Sequence, residues 1–504
     1  MRVFFHHHRH HHRRAPHHNR LPVPQPGKSR TKKVNERVHF LNFSNFLIVL
    51  FRIFRESDYT AQTFVARVIR RCRLTVPLVA VVVGLFMAGN ARADLIIPPI
   101  TESLESAQPI AIVPFGWKGA AAPPVVIEEI VTSDLERSGR FLPIPRQELP
   151  AIPATKEQVN FNDWRLLGAN LVIGKTTHLP DGQYEVDFRL FDVFSGKQLT
   201  GYQFTASGDN LRTIAHRISD IIYQQLTGER GAFNTRIAYI TEVETKARKK
   251  RYTLYVADSD GGRAIRVLAS SQPLLSPAWA PNGQKLAYVS FEDGTSHVYI
   301  HQLAENVAQR RRRLASFRGI NGAPAWSPDG SRLALTLSRD GNAEIYVVVT
   351  ATGEFTRITR NGAIDTEPAW SPDGKSLVFT SDRSGSPQIY RIPAQGGQAK
   401  RLTFEGKYNT CAAFSPDGAR LALIHGNQGA YRIGLLELDT GFLRVLTDTT
   451  LDESPSFAPN GSTILYATTD QHGSALAAVS IEGGARYRLA VQRGKVREPA
   501  WAPW

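Results

Sequence analysis

The chain has 504 residues, 42% of them hydrophobic and 21% charged, which is too long for one ordinary domain and fits two or three folded units of a globular protein. Its net charge of +16 points first to nucleic acid or a membrane, but residues 1–93 hold 17 Lys+Arg against 3 Asp+Glu, a net of +14, which leaves 44 against 42, a net of +2, for the rest. With no basic face interleaved with aromatics in that nearly neutral part, nucleic-acid binding is set aside, and since only Cys411 of the pair Cys72 and Cys411 lies beyond residue 93, no intramolecular disulfide is expected there.

The first elements read as a leader. Residues 67–73, Arg-Val-Ile-Arg-Arg-Cys-Arg, form a positive n-region, Leu74 to Ala88 an apolar h-region, and Ala91-Arg92-Ala93 a cleavage site. The cut is expected between Ala93 and Asp94, so 67–93 is a signal peptide. The 15-residue apolar run is short for a membrane span, which needs about 20 residues, and no other long apolar run follows. The mature protein is therefore expected to be soluble and exported, and the bacterial look of the signal implies the periplasm. Residues 1–66 read as an extension that is disordered or not part of the natural product. Metal binding by His6–His8 and His10–His12 is the other reading.

Residues 94–231 read as a small α/β domain. Pro109–Phe115 is a buried strand, Val125–Ser138 a helix ending at Gly139, and 162–168 a second helix. Strands are expected at 170–178, 183–193 and 197–206. An amphipathic helix over Leu211–Leu226 ends at Gly228, with little room for a flexible linker before the next unit.

Residues 232–504 carry a repeat. The pattern Pro-Ala-Trp-x-Pro-Asp/Asn-Gly recurs with its second proline at Pro281, Pro328, Pro372, Pro416, Pro459 and Pro503, spaced by 47, 44, 44, 43 and 44 residues. That period belongs to four-stranded propeller blades. The motif strands are expected at 274–281, 321–328, 365–372, 409–416, 452–459 and 496–503, each followed by a Pro/Gly turn and three more strands. Segments 236–243, 252–258 and 265–269 read as a blade without its motif strand, whereas the chain ends on a motif strand without the rest. The fold expected is thus an α/β N-terminal domain followed by an all-β six-bladed propeller, closed by the C-terminal strand Glu498–Trp504. The motif aromatics Trp279, Trp326, Trp370, Phe414, Phe457 and Trp501 read as inter-blade core.

Catalytic patterns are missing. There is no Gly-x-Ser-x-Gly, no His-Glu-x-x-His and no His/Cys set with zinc spacing; the six His beyond residue 93 are scattered singly. Gly374-Lys375-Ser376 follows Ala369 rather than the Gly of a phosphate loop, and Asp258-Ser-Asp260-Gly-Gly lacks the Gly and Glu of a calcium loop, so both read as hairpin turns. No catalytic, cofactor or metal residue is assigned. The residues before the motif strands surround one channel mouth and include Asp365, Glu367, Asp452, Glu453 and Glu498. Such an acidic rim either steers a basic partner into the mouth or is a solvated turn surface.

The junction Leu226-Thr-Gly-x-x-Gly231-Ala-Phe-x-Thr-Arg-Ile-Ala-Tyr239 resembles the TolB family of periplasmic proteins of the Tol-Pal cell-envelope system. So do Pro109–Phe115, Ser271–Trp279, Asn321–Ala325 and Thr366–Trp370. The resemblance spans about 109–504. It implies a non-enzymatic adaptor, a monomer that supports outer-membrane integrity and constriction at division. It implies that Ile320, Ala323, Thr366 and Glu367 bind the lipoprotein Pal, although Ile320 stands where the family commonly has His. It also implies that the mature N-terminal segment Asp94–Ser106, beginning Asp94, Leu95, Ile96, Ile97 and containing an unusual Pro98-Pro99, reaches the inner-membrane protein TolA. A hydrolase or lyase acting on a polymer in the channel is the alternative; it requires an acid/base pair on the inner strands.

Overall fold

The computed structural model describes residues 107–303 and 311–504. The extension 1–66, the signal peptide 67–93, the Ala93/Asp94 cut and the segment 94–106 with Asp94, Leu95, Ile96 and Ile97 lie outside the described residues.

The N-terminal part is a six-stranded sheet with three helices. Its elements are β1 (Gln108–Ile112), β2 (Gly116–Lys118), α1 (Ile127–Arg137), β3 (Phe141–Pro143), α2 (Phe161–Arg165), β4 (Asn170–His178), β5 (Tyr184–Asp192), β6 (Lys197–Ala206) and α3 (Leu211–Thr227). The strand order is β3-β1-β4-β5-β6, with β2 also on β4. β1 pairs in parallel with β3 and β4, and β4, β5 and β6 run antiparallel. β1 stops two residues before Pro114, which has no N–H to offer the ladder. α1 opens only after Pro123-Pro124 and carries Glu128 and Glu129 in its first turn and Arg137 in its last, which suits the helix dipole. α3 ends where Gly228 takes φ +80°, a left-handed cap that Gly adopts without a Cβ penalty.

Alternation along the strands gives this sheet two cores. Ile110, Ile112, Val172, Phe188 and Leu190 pack with Val131 and Leu135 of α1 and Ile218 and Ile222 of α3. Ala111, Val113, Leu171, Ile173 and Phe191 face the other way, onto Trp164 of α2. Each such large side chain contributes about 1.5–3 kcal/mol on burial.

From Arg236 onward every element among the described residues is a strand. Leu274–Trp279, Asn321–Trp326 and Asp365–Trp370 each begin a four-stranded antiparallel sheet in chain order. Tyr408–Phe414 and Leu451–Phe457 begin two more sets of four, joined by one parallel bridge between Tyr431 and Leu451. Lys495–Trp501 has no following strands and pairs antiparallel with Arg236–Glu244, which continues through Lys250–Asp258 to Ile265–Ser270. The motif strands are neighbours in succession, and Leu274–Trp279 also neighbours Lys495–Trp501. Each ends on its aromatic, two residues short of the expected proline, because that proline has no N–H to extend the pairing.

Candidate functional site

The motif strands share one irregularity. Each shifts register against its neighbour, between Leu275 and Ala278, Gly322 and Ala325, Thr366 and Ala369, Thr410 and Ala413, Glu453 and Ser456, and Arg497 and Ala500. Inside each shift one non-glycine residue is left-handed: Ser276 at φ +51°, Ala323 at +46°, Glu367 at +54°, Cys411 at +54°, Ser454 at +56° and Glu498 at +48°. Five of the six precede a proline, which bars the right-handed helical region to them. A bulge puts two residues opposite one and turns side chains off the ladder. The conformation costs on the order of 1–2 kcal/mol at each non-glycine residue.

Bonds between neighbouring sheets hold this geometry. Trp279 donates from its indole N–H to Ala500 O at 3.1 Å, Trp326 to Ala278 O at 3.2 Å and Trp370 to Ala325 O at 3.1 Å. Trp501 donates to Thr235 Oγ1 at 2.8 Å. Thr235 leads into Arg236–Glu244, the strand that pairs with Lys495–Trp501, so the Trp501 bond lies within one sheet, whereas the first three indoles are inter-sheet ties. Two bulge carboxylates do the same work on the backbone: Glu498 accepts from the Ser276 N–H, and Glu367 Oε2 accepts from the Cys411 N–H at 3.0 Å and from Thr380 Oγ1 at 2.9 Å. A cavity of about 590 Å³ is walled by five of the six motif strands, with Pro281, Pro416, Pro459, Pro503 and Trp504 among its lining.

The acidic mouth is less acidic than expected. Asp365 and Asp452 are buried. Asp365 is held by Arg383 at 2.8 Å and Asn361 at 2.7 Å, and Asp452 accepts from Thr447 and Thr449, both at 2.5 Å. Asn321 and Asn409 fill the same repeat position and are bonded alike, Asn321 to Phe317 O and Asn409 to Gln388. Interchange of Asp with Asn at this repeat position, which Leu274 and Val496 hold in the other two copies, was the signal: four copies use a side chain that bonds the turn rather than a free charge. Glu367, Glu453 and Glu498 remain partly exposed. Burial and the nearby charge of Glu453 push Glu498 up to about 7 against the opposing Ser276 N–H. Burial and Glu367 push the Cys411 thiol up, which makes it an unreactive neutral group.

The four residues expected at the mouth lie at the start of two adjacent motif strands. Ile320, Ala323 and Glu367 are partly exposed, and the Ile320 N–H donates to Ser338 Oγ at 2.7 Å. Thr366 is buried, its hydroxyl 3.2 Å from that of Thr336, which also accepts from the Glu367 N–H at 3.2 Å. The Asp258–Gly262 turn, read from sequence as a plain hairpin, lies against α3: Arg212 bonds both Asp258 and Asp260. The junction is equally fixed, since Asp220 on α3 accepts from the N–H groups of Phe233 at 2.8 Å and Asn234 at 3.2 Å.

Comparison with known proteins bears on both parts. The family model described as TolB beta propeller domain matches residues 223–504, and the TolB amino-terminal domain matches 99–199. The Tol-Pal system protein TolB of Nitrosococcus oceani is 53% identical over 433 residues, covering 86% of this chain and 98% of its own length. That of Thioalkalivibrio sulfidiphilus is 54% identical over 408 residues, covering 80% and 93%. The crystal structure of TolB from Acinetobacter baumannii superposes with a TM-score of 0.72 at 42% identity, covering 79% of this chain and 97% of that one.

Proposed function

The chain belongs to the TolB family and is a component of the Tol-Pal system, and from that premise we propose that it is a non-enzymatic periplasmic adaptor. In this reading a six-bladed propeller over 232–504, closed by the C-terminal strand, binds the outer-membrane lipoprotein Pal. The contacts are Ile320, Ala323 and Glu367, with Thr366 beneath them. The mature N-terminal segment, beginning Asp94, Leu95, Ile96 and Ile97, binds TolA ahead of an α/β domain ending near 231. Together these contacts support outer-membrane integrity and constriction during cell division.

The observation that carries the reading is the repeated bulge. It turns side chains off successive sheets, and hydrogen bonds between several of the sheets fix their positions in advance, which supports a reading in which a partner meets a surface already ordered. The groups so presented are small, acidic or apolar, and the two carboxylates among them, Glu367 and Glu498, accept backbone N–H groups, an arrangement that favours docking over proton transfer. No described helix is long and apolar enough to cross a membrane.

The test is binding of a purified Pal periplasmic domain at physiological salt. Glu367→Lys is expected to weaken it at least tenfold while the unfolding midpoint stays within a few degrees. Removal of 94–106 is expected to abolish TolA binding and leave Pal binding intact. No measurable Pal binding by the unaltered protein would sink the reading.

A further inference from the structure

Where α1 and α3 meet the 258–263 turn of the first repeat sheet, one histidine stands between carboxylates from both sides. His216 on α3 is 1% exposed. Its Nδ1 lies 2.8 Å from Asp134 Oδ2 on α1, and its Nε2 lies 3.8 Å from Asp258 Oδ2 and 3.8 Å from Asp260 Oδ2 in the turn. A neutral imidazole has one N–H and one lone pair. In this setting either tautomer aims its lone pair at a carboxylate, whereas the imidazolium presents an N–H to both sides.

The surrounding charges ask for the same proton. Arg137 on α1 is 2.8 Å from Asp134 and donates to Ser259 Oγ at 3.0 Å. Arg212 on α3 bonds Asp258 and Asp260, and Arg263 grips Asp258 with two bonds of 2.8 and 2.9 Å. Asp220 lies one helical turn beyond His216, and Tyr487 is near enough to Arg137, Asp134 and Asp260 to feel their charges. Three arginines face four aspartates, so one positive charge is missing unless the ring carries it. His216, Asp258 and Asp260 also offer metal-ligating atoms within 4.8 Å of one another. Arg212 and Arg263 already hold those carboxylate oxygens, however, and a metal cation would sit among three guanidinium groups.

We propose that His216 is a proton-operated latch between the N-terminal sheet domain and the first repeat sheet: the protonated ring draws α1 and α3 to the 258–263 turn, and the neutral ring loosens that turn, leaving it on the Arg212 and Arg137 contacts. Burial by itself would push the ring down, but its bond to Asp134, the nearness of Asp258 and the charges of Asp134 and Asp260 lift it to about 9. A histidine raised in the folded state adds stability that is complete below about 6.5 and is lost as pH rises through about 9. Its neighbours titrate outside that window. Burial lifts Asp220 to about 6, Asp258 is held well below the usual range by His216 and Arg263 against the opposing effect of burial, and burial pushes Tyr487 above its ordinary 10.

Nitrogen NMR of the purified protein with labelled histidines tests this directly. The His216 ring is expected to be doubly protonated at pH 7.5 and to titrate near 9. In His216→Gln, which keeps one hydrogen bond and loses the charge, amide exchange at Gly261–Arg263 is expected to speed up about tenfold or more at pH 7.5, the equivalent of one pKa unit. The unfolding midpoint of the unaltered protein should fall between pH 8 and 9.5, above the range in which Glu498 titrates, and that of the variant should fall markedly less over the same range. A neutral ring at pH 7.5 overturns the latch, and so does a folded variant with unchanged exchange or an unchanged pH slope. If the variant does not fold, the ring titration in the native protein decides alone.

Discussion

The two parts of this molecule solve the same problem, fixing side chains in space, by opposite means. The repeat region uses one device six times, a left-handed bulge, and braces several of the copies with ties to the neighbouring sheet, so that each tie carries a small share of the load. The seam between the parts uses one buried network once, in which Asp134, His216, Arg137 and Arg212 have no duplicates. Repetition lets an interaction be individually weak and replaceable. A unique charged network is strong in combination and costly to open at any member, because the group left behind is buried without its partner.

The sharpest way to break this comparison is to remove the copy that has no spare. Deleting Lys495–Trp504 strips Arg236–Glu244 of its inner neighbour. The unfolding midpoint should drop by more than about 15 °C or the cooperative transition should vanish; an unchanged melt would contradict the dependence. Next in size is Asp134→Ala, which leaves His216 and Arg137 facing each other without their shared carboxylate. Denaturant titration should show a loss of about 3–5 kcal/mol, and a loss below about 1 kcal/mol would put the seam on a par with the repeats. Glu498→Gln concerns pH. A carboxyl raised to about 7 gives stability that is complete below its ordinary value near 4.5 and lost as pH climbs through about 7. The unaltered protein should therefore lose melting temperature between pH 5 and 7.5, and the variant should lose less; parallel profiles would remove Glu498 from the account. Smallest is Trp326→Phe, which keeps the ring packing and deletes one bond to Ala278 O. About 1 kcal/mol is expected, and a threefold larger effect would mean that the ties act cooperatively.

Much of the fold was legible because it is periodic. The 44-residue repeat located all six motif strands, and alternation in 170–206 placed β4, β5 and β6 to within a residue. Helix 162–168 was found but misplaced: α2 starts at Phe161, after Asn160 accepts from the Asn162 N–H, and ends by Arg165. β2 and β3, three residues each, are too short for any periodicity to show. The exposure of two carboxylates was misread, since Asp365 and Asp452 look acidic in a string of letters and are buried turn ligands in space. The bulge left a trace in the proline that follows five of its six residues. The seam left none, because Asp134, His216 and Asp258 are separated by 82 and 42 positions and only the fold unites them.

The pairing of Arg236–Glu244 with Lys495–Trp501 also sets an order of events in time. These partners stand more than 250 residues apart, so the search for each other carries a high loop-closure cost and comes late. A chain made from its N-terminus presents the strand Arg236–Glu244 long before its partner. Throughout that interval an inner edge of the first sheet lies open, a template on which a stray strand, including one from another copy, can anneal. The first sheet is thus completed only when Lys495–Trp501 arrives, and the time between the two strands, rather than any single contact, governs how long the half-built molecule stays at risk.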